Sequence, residues 1–332
     1  MDYLQRVCER ITKREDNLMQ TWQWQQGVAL FALSEVYKKN KEASYLNYIK
    51  EWVDGQLEKE YPGKSINTTA PCMGILELFK ETKDAKYEAL LEDFAQWCMA
   101  RARRSERGIF EHSCTENFYD NQIWADTLVM GCIFLAKYSV FTGNKMYMYE
   151  ALRQYVLHYE FLKAGESNLI IHGYYGNERV QKGVIWGRGN GWFAAGSAII
   201  LSLADESYPD YHVVKSNFEK YIDELVEYQN EDGSWNTVID SKDSYSEMTA
   251  TASFAFAINE GMKLGILKEE YSVNVDRAIK ILEMYIDEDG TVLKASGGTC
   301  IMPNAEDYNA IECVYSPFGQ GLAILALNSI LE

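Results

Sequence analysis

The chain has 332 residues, a formal net charge of −17 and a hydrophobic fraction of 47%. The negative balance argues against nucleic acid and anionic membrane as partners. The apolar content and length suit a globular chain with a large core, and they exclude a disordered or fibrous one.

Apolar residues recur at helical spacing almost throughout, and period-two alternation is nearly absent. Tyr3 to Lys13 opens the chain as an amphipathic helix. Residues 1–14 lack the apolar core of a signal peptide, and no later run is long enough to span a bilayer. Seven scattered cysteines form no Cys-x-x-Cys pair. They read as free thiols in a reducing compartment, so a cytoplasmic protein is expected.

Trp24 to Lys38, Ala70 to Phe79, Ile123 to Tyr138, Asn190 to Ala204, Met248 to Leu264 and Pro317 to Ile330 are rich in small residues and poor in charge. Helices apolar nearly all round are buried ones. Between them lie amphipathic segments with charged faces: Ser44 to Lys59, Lys86 to Arg103, Lys145 to Lys163, His212 to Gln229 and Val273 to Ile286. Inner-to-outer links are short, and outer-to-inner links are mostly long. Three of the long links carry related turns, at Gly108, Gly233 and Gly290. The pattern predicts an all-α fold, an (α/α)6 barrel of six helical hairpins, as one domain over 1–332. Every long loop then falls at one end, beside the N-termini of the inner helices. Long ordered loops usually carry function, and helix N-termini favour an anionic ligand.

Three places could carry chemistry at that end. Asp126, in Trp124-Ala125-Asp126-Thr127-Leu128, opens the third inner segment. One reading is an N-cap; the other is a general acid whose pKa is raised by an apolar setting. His172 lies in the long loop before the fourth inner segment, and His112 holds a similar place in the preceding loop. The third is Trp186-Gly187-Arg188-Gly189-Asn190-Gly191-Trp192, where glycines space two indoles, a guanidinium and an amide. Trp faces suit sugar rings and Arg forks onto carboxylates, so a uronic acid fits; a phosphate cradle or a purely structural turn are the rivals. No His/Cys/carboxylate cluster has metal-ligand spacing, so neither metal nor cofactor is expected.

Together these motifs resemble the unsaturated glycuronyl hydrolases of glycoside hydrolase family 105, typified by unsaturated rhamnogalacturonyl hydrolase. The resemblance covers nearly the whole chain and implies an (α/α)6 barrel. It also implies a distinctive reaction. Lyases leave a C4=C5 double bond on the non-reducing uronate, and these enzymes remove that sugar by hydrating the bond. Carried over, Asp126 is the acid/base, and His172, Arg188, Trp186, Asn190 and Trp192 shape the subsite, with Arg188 against the carboxylate. Trp24 is a further wall. The family often has a second Asp ahead of a Pro on the loop entering the second inner helix. Here Asn67 stands in that place, in Asn67-Thr68-Thr69-Ala70-Pro71. Asn binds a hydroxyl but cannot be a charged base, which leaves Asp126 working mainly alone.

The implied substrate is an unsaturated galacturonyl-rhamnose unit from rhamnogalacturonan, acted on by a monomer or homodimer. Unsaturated glucuronyl units of another polyuronide are the alternative. An epimerase on a similar barrel, or an inactive acidic-oligosaccharide-binding protein, are readings from other classes.

Overall fold

A computed structural model describes residues 2–13 and 17–331. Met1, Arg14 and Glu332, at the edges of the spans 1–14 and 1–332 read above, lie outside the described residues.

Helix α1 (Tyr3–Thr12) is followed by α2 (Trp24–Asn40) and α3 (Ala43–Lys59). The short α4 (Ile66–Thr69) leads into α5 (Cys72–Thr82) and α6 (Ala85–Ala100). Strand β1 (Gln122–Trp124) and a π-helical turn (Leu128–Ile133) precede α7 (Phe134–Thr142) and α8 (Lys145–Leu162). Strands β2 (Gly173–Tyr175) and β3 (Val180–Lys182) precede α9 (Gly187–Leu203) and α10 (Tyr211–Leu225). Then come α11 (Met248–Lys263), α12 (Ser272–Met284), the short α13 (Ala305–Asn309) and α14 (Pro317–Ser329). Among the described residues, no helix is long and apolar enough to cross a membrane.

The inner helices close a ring. α2 packs on α5, α5 on α7, α7 on α9, α9 on α11, α11 on α14, and α14 back on α2. Each of the first five also packs on the outer helix that follows it, from α3 to α12. The outer partner of α14 is α1, so the sixth hairpin joins the two ends of the chain. This is the expected (α/α)6 barrel.

The sequence explains both helix types. In α9 every residue from Gly187 to Ala198 is buried, so nothing charged faces solvent there. In α3 the buried residues are Tyr45, Tyr48, Ile49, Trp52 and Val53, one stripe at helical spacing. Small residues let the inner helices touch: a Cβ on Gly191 would lie 2.8 Å from Ser253 Cβ, on α11. The core is continuous from Leu4 on α1 to Leu327 on α14.

Two expectations need correction. Ile123 to Tyr138 is not one helix. Ile123 and Trp124 belong to β1, which pairs antiparallel with β2, Trp124 opposite Gly173. Helical spacing cannot register this, because the pairing is long-range and only three residues deep. The glycine-rich run after Trp186 is also not a turn; it is the opening of α9 itself. Its glycines serve close approach. A Cβ on Gly187 would sit 2.6 Å from the Asn236 carbonyl oxygen.

Candidate active site

The β1–β2 pairing brings together two residues that lie far apart in sequence. The Ala125 N–H donates to the His172 carbonyl at 3.1 Å, which sets Asp126 beside the His172 ring. His172 Nε2 lies 3.3 Å from Asp126 Oδ2. The pair is close but poorly aligned, and both atoms are buried with no hydrogen-bond partner. On its other side Asp126 Oδ1 accepts from Trp192 Nε1 at 3.2 Å. Among the described residues no helix N–H takes the Asp126 side chain; its main-chain carbonyl receives Val129 and Met130 instead. The carboxylate is therefore not used as an N-cap.

The His172 tautomer follows from its neighbours. His172 Nδ1 lies 2.5 Å from Tyr308 Oη. That oxygen also accepts from the Met302 N–H at 3.2 Å. An ionised carboxylate can only accept, so the tautomer that suits both neighbours carries its proton on Nε2, facing Asp126 Oδ2, and takes the Tyr308 hydroxyl proton at Nδ1. Sequence reading missed Tyr308, which α13 carries within the last long loop. Nothing near Tyr308 in the chain marks it; only the fold brings it to His172.

The Asp126 carboxyl was expected to hold a raised pKa. Burial does work in that direction. His172, and then His112 and Arg188, outweigh it and hold the group below the usual carboxylate value. Burial pushes His172 down and takes His112 to about 4. At neutral pH the resting site thus holds an ionised Asp126 between neutral imidazoles.

Above Asp126 lies a cleft of about 430 Å³. Asn67, Trp24, His112 and Trp124 line it together with Asp126. The Asn67 amide makes no hydrogen bond within the described residues, and its main-chain N–H is tied to the Ser113 carbonyl at 3.0 Å. Trp24, at the first turn of α2, meets Trp192 edge-on with ring centroids 6.2 Å apart. His112 stacks on Trp124 at 4.4 Å, and its Nδ1 lies 3.1 Å from Thr127 Oγ1. Gly298, Thr299 and Cys300 form the facing wall. Among the described residues, no three His, Cys, Asp or Glu side chains gather as a metal would require.

The Trp186–Trp192 run stands behind this cleft and not on its wall. Trp186, Arg188, Asn190 and Trp192 are all at most 1% exposed. Asn190 ties the His172 loop to α9: Oδ1 accepts from Ile170 N at 3.0 Å, and Nδ2 donates to the Ile170 and Trp186 carbonyls. Trp186 packs on His172 at 4.2 Å and on the Arg188 guanidinium at 4.5 Å. Arg188 donates to the Ser296 carbonyl and hydroxyl and to the Gly297 carbonyl, at 2.6–2.7 Å. Both terminal nitrogens of its fork are thus engaged by the Ser296–Gly297 segment, and the side chain does not reach the cleft wall where a carboxylate clamp was expected. The Ser296 N–H in turn donates to the buried Glu247 carboxylate at 2.8 Å. Arg188 and Glu247 together fix the wall segment that continues into Gly298–Cys300. The main-chain N–H groups of Gly298, Thr299 and Cys300 have no partner among the described residues.

A closed helical barrel with Asp126 on the floor of its loop-end cleft is the arrangement that the resemblance to the unsaturated glycuronyl hydrolases implies. Comparison with known proteins fixes the family. Residues 3–332 match the model of Glycosyl Hydrolase Family 88, and the chain belongs to this family. The chain is 32% identical over 332 residues to unsaturated rhamnogalacturonyl hydrolase YesR of Bacillus subtilis strain 168, covering 98% of this chain and 94% of that one. It is 27% identical, over 63% of its length and 57% of the relative's, to an unsaturated 3S-rhamnoglycuronyl hydrolase of Formosa agariphila. A solved structure from Salmonella enterica, described as a possible member of the GH105 family, superposes with a TM-score of 0.93 at 26% identity, covering 98% of this chain and 92% of that one.

Proposed function

We propose that this protein removes a 4,5-unsaturated uronyl residue from the non-reducing end of lyase-generated oligosaccharides, by hydrating the C4=C5 double bond. The observation that carries the reading is the Asp126 carboxylate at the cleft floor, with one oxygen held by Trp192 and the other facing His172 unpaired. The unsaturated galacturonyl-rhamnose unit is the substrate we favour, in keeping with the relative named for rhamnogalacturonyl hydrolysis.

The chemistry follows from that geometry. The substrate brings a second negative charge into a poorly solvated cleft, which raises the Asp126 pKa and favours proton uptake. Asp126 then donates its proton to C4. Water adds at C5, and the carboxylate takes back a proton from that water. The product at C5 is a hemiketal; it opens, the glycosidic bond breaks, and the leaving sugar departs. One carboxyl performs both transfers, so a second one, as in ordinary glycosidases, is not required. Asn67 offers an amide to a sugar hydroxyl at the place of the family's second acid. The uronate carboxylate finds its donors in the Gly298–Cys300 N–H groups. Arg188 polarises the Gly297–Gly298 peptide from behind through its carbonyl, which strengthens the N–H at the other end.

The test is to incubate the protein with lyase-generated disaccharides and follow the absorbance of the conjugated double bond. Loss of absorbance together with release of the second sugar is expected. Unchanged absorbance across a panel of unsaturated uronides would overturn the proposal.

A further inference from the structure

We propose that the outer wall of the cleft, built by Tyr119 and Glu116, selects an uncharged sugar as the leaving unit and turns away one that carries sulfate or carboxylate. This inference rests on the hydration reading and deepens it.

Depth assigns the wall to its sugar. The unsaturated ring must reach Asp126, which is 9% exposed at the floor. The unit attached to it trails outward. Tyr119, half-buried, and Glu116, exposed, line the same cleft nearer solvent. They are the side chains that the trailing sugar passes.

Tyr119 is held there at a cost. Its φ is +45°, a region that side chains other than glycine's rarely adopt. The conformation is pinned from both sides. The Tyr119 N–H donates to Asn117 Oδ1 at 3.0 Å, and its carbonyl accepts from the Gln122 N–H at 2.9 Å. The ring lies 4.3 Å from the Trp124 ring and 5.9 Å from that of His112, continuing the aromatic wall outward. Its hydroxyl has no partner among the described residues. A ring with a free hydroxyl at a cleft mouth suits a sugar face with its own hydroxyls. Backbone strain retained at such a place points to a role for the ring's position.

Charge supplies the selectivity. Among the described residues neither Lys nor Arg lines the cleft, and its charged side chains are Asp126 and Glu116. Arg103, at the base of the same loop, is engaged by Asp120 and Glu111. The Glu116 charge is felt at the wall: burial and then hydrogen bonding to Glu116 push the neighbouring Cys114 thiol above its ordinary value. One carboxylate, that of the terminal uronate, has the unpartnered N–H groups of Gly298–Cys300 to meet. A second anion on the trailing sugar would meet Glu116 and no cation.

Three substrates with the same unsaturated uronate test this: a disaccharide with a plain leaving sugar, its sulfated counterpart, and a methyl glycoside with no second sugar. Wild-type kcat/KM should be at least about tenfold lower for the sulfated disaccharide than for the plain one. Glu116→Lys should close most of that gap. The substitution changes the total charge by only two of the net 17, so discrimination arising from the whole protein's field would hardly move. Tyr119→Ala should raise KM for the plain disaccharide about tenfold more than for the methyl glycoside, and Tyr119→Phe should fall between. Equal turnover of plain and sulfated substrates, or a gap that Glu116→Lys leaves intact, would overturn the charge selection. Equal losses on both unsulfated substrates in Tyr119→Ala would overturn the platform. Failure of the wild type on all three would instead refute the hydration reading, and this inference with it.

Discussion

The two ends of the barrel are built from the same six inner helices, yet they treat polar groups in opposite ways. At the end where those helices finish lies a second cavity, of about 320 Å³, lined by Lys38, Lys39, Lys137, Lys263, Glu35 and Glu260. There most of the charges are paired, and each has a hydrogen-bond partner. Lys137 and Lys38 share Glu35, at 2.6 and 2.7 Å. Lys263 meets Glu260 at 3.0 Å, and Lys39 holds the Asn328 carbonyl of α14 at 3.1 Å. These cations also suit the negative ends of the helix dipoles. At the loop end, Asp126 Oδ2, His172 Nε2, Trp186 Nε1 and Arg188 Nε are all buried without a hydrogen-bond partner. Buried polar groups left unmatched are costly, so a fold keeps them where something else benefits. The contrast sets a charged cavity whose groups are largely matched against a cleft floor that keeps unmatched ones, as the proposed chemistry requires.

That contrast can be broken in four ways, taken from the largest effect down. Asp126→Asn should keep the fold and lower kcat by about 10³-fold or more, since it removes the proton donor and keeps the shape. Retained turnover would take Asp126 out of the mechanism. At the opposite end, Glu35→Gln should lower stability by about 3 kcal/mol, by leaving Lys137 buried and unpaired, with kcat unaltered. The pH dependence has a definite sign. Glu35 is held at about 2 against an ordinary value of 4.5, so its contribution is complete above about 4.5 and is lost as pH falls towards 2. Acid unfolding followed by circular dichroism should show that loss in the wild type and a flatter profile in Glu35→Gln.

Arg188→Ala joins the two kinds of effect. It should lower Tm and raise KM about tenfold, because the Ser296–Gly297 carbonyls lose their donors and the wall that meets the carboxylate loosens. A change in kcat alone, with KM and Tm unmoved, would contradict the placement of Arg188 behind the wall. Tyr308→Phe should cost least, about threefold to tenfold in kcat. It frees His172 to shift its proton from Nε2 to Nδ1, so the pH profile of kcat should move as well. A lower Tm with an unmoved profile would make Tyr308 purely structural.

The barrel was legible in the sequence because each inner helix carries its burial in its own composition. α9 and α14 are apolar nearly all round, and α3 shows a single stripe, so local periodicity was enough. The cleft was legible only in part. Asp126, Asn67 and Trp24 line it as expected. His172, Trp186, Arg188, Asn190 and Trp192 were expected to shape the subsite, and instead they are buried behind the residues that line the cleft. Composition reveals that an indole or guanidinium is present; it does not reveal which way a buried helix turns it. The lowered Asp126 pKa escaped for a related reason. An apolar neighbourhood can be read from spacing, whereas His172 arrives through a three-residue strand pairing and Tyr308 through a loop over a hundred residues further along. Tyr119 was hidden because a positive φ at a residue other than glycine has no sequence signature.

The central claim is proton delivery to C4 by Asp126, with water added across the double bond. It is tested most directly by running the reaction in D2O and examining the released 4-deoxy product by NMR at early times. The account predicts one deuterium at C4 in a single stereochemical position, with the double bond lost at the same rate as the leaving sugar appears. Release of the leaving sugar with the double bond still intact would mean attack at the anomeric carbon, and would contradict it.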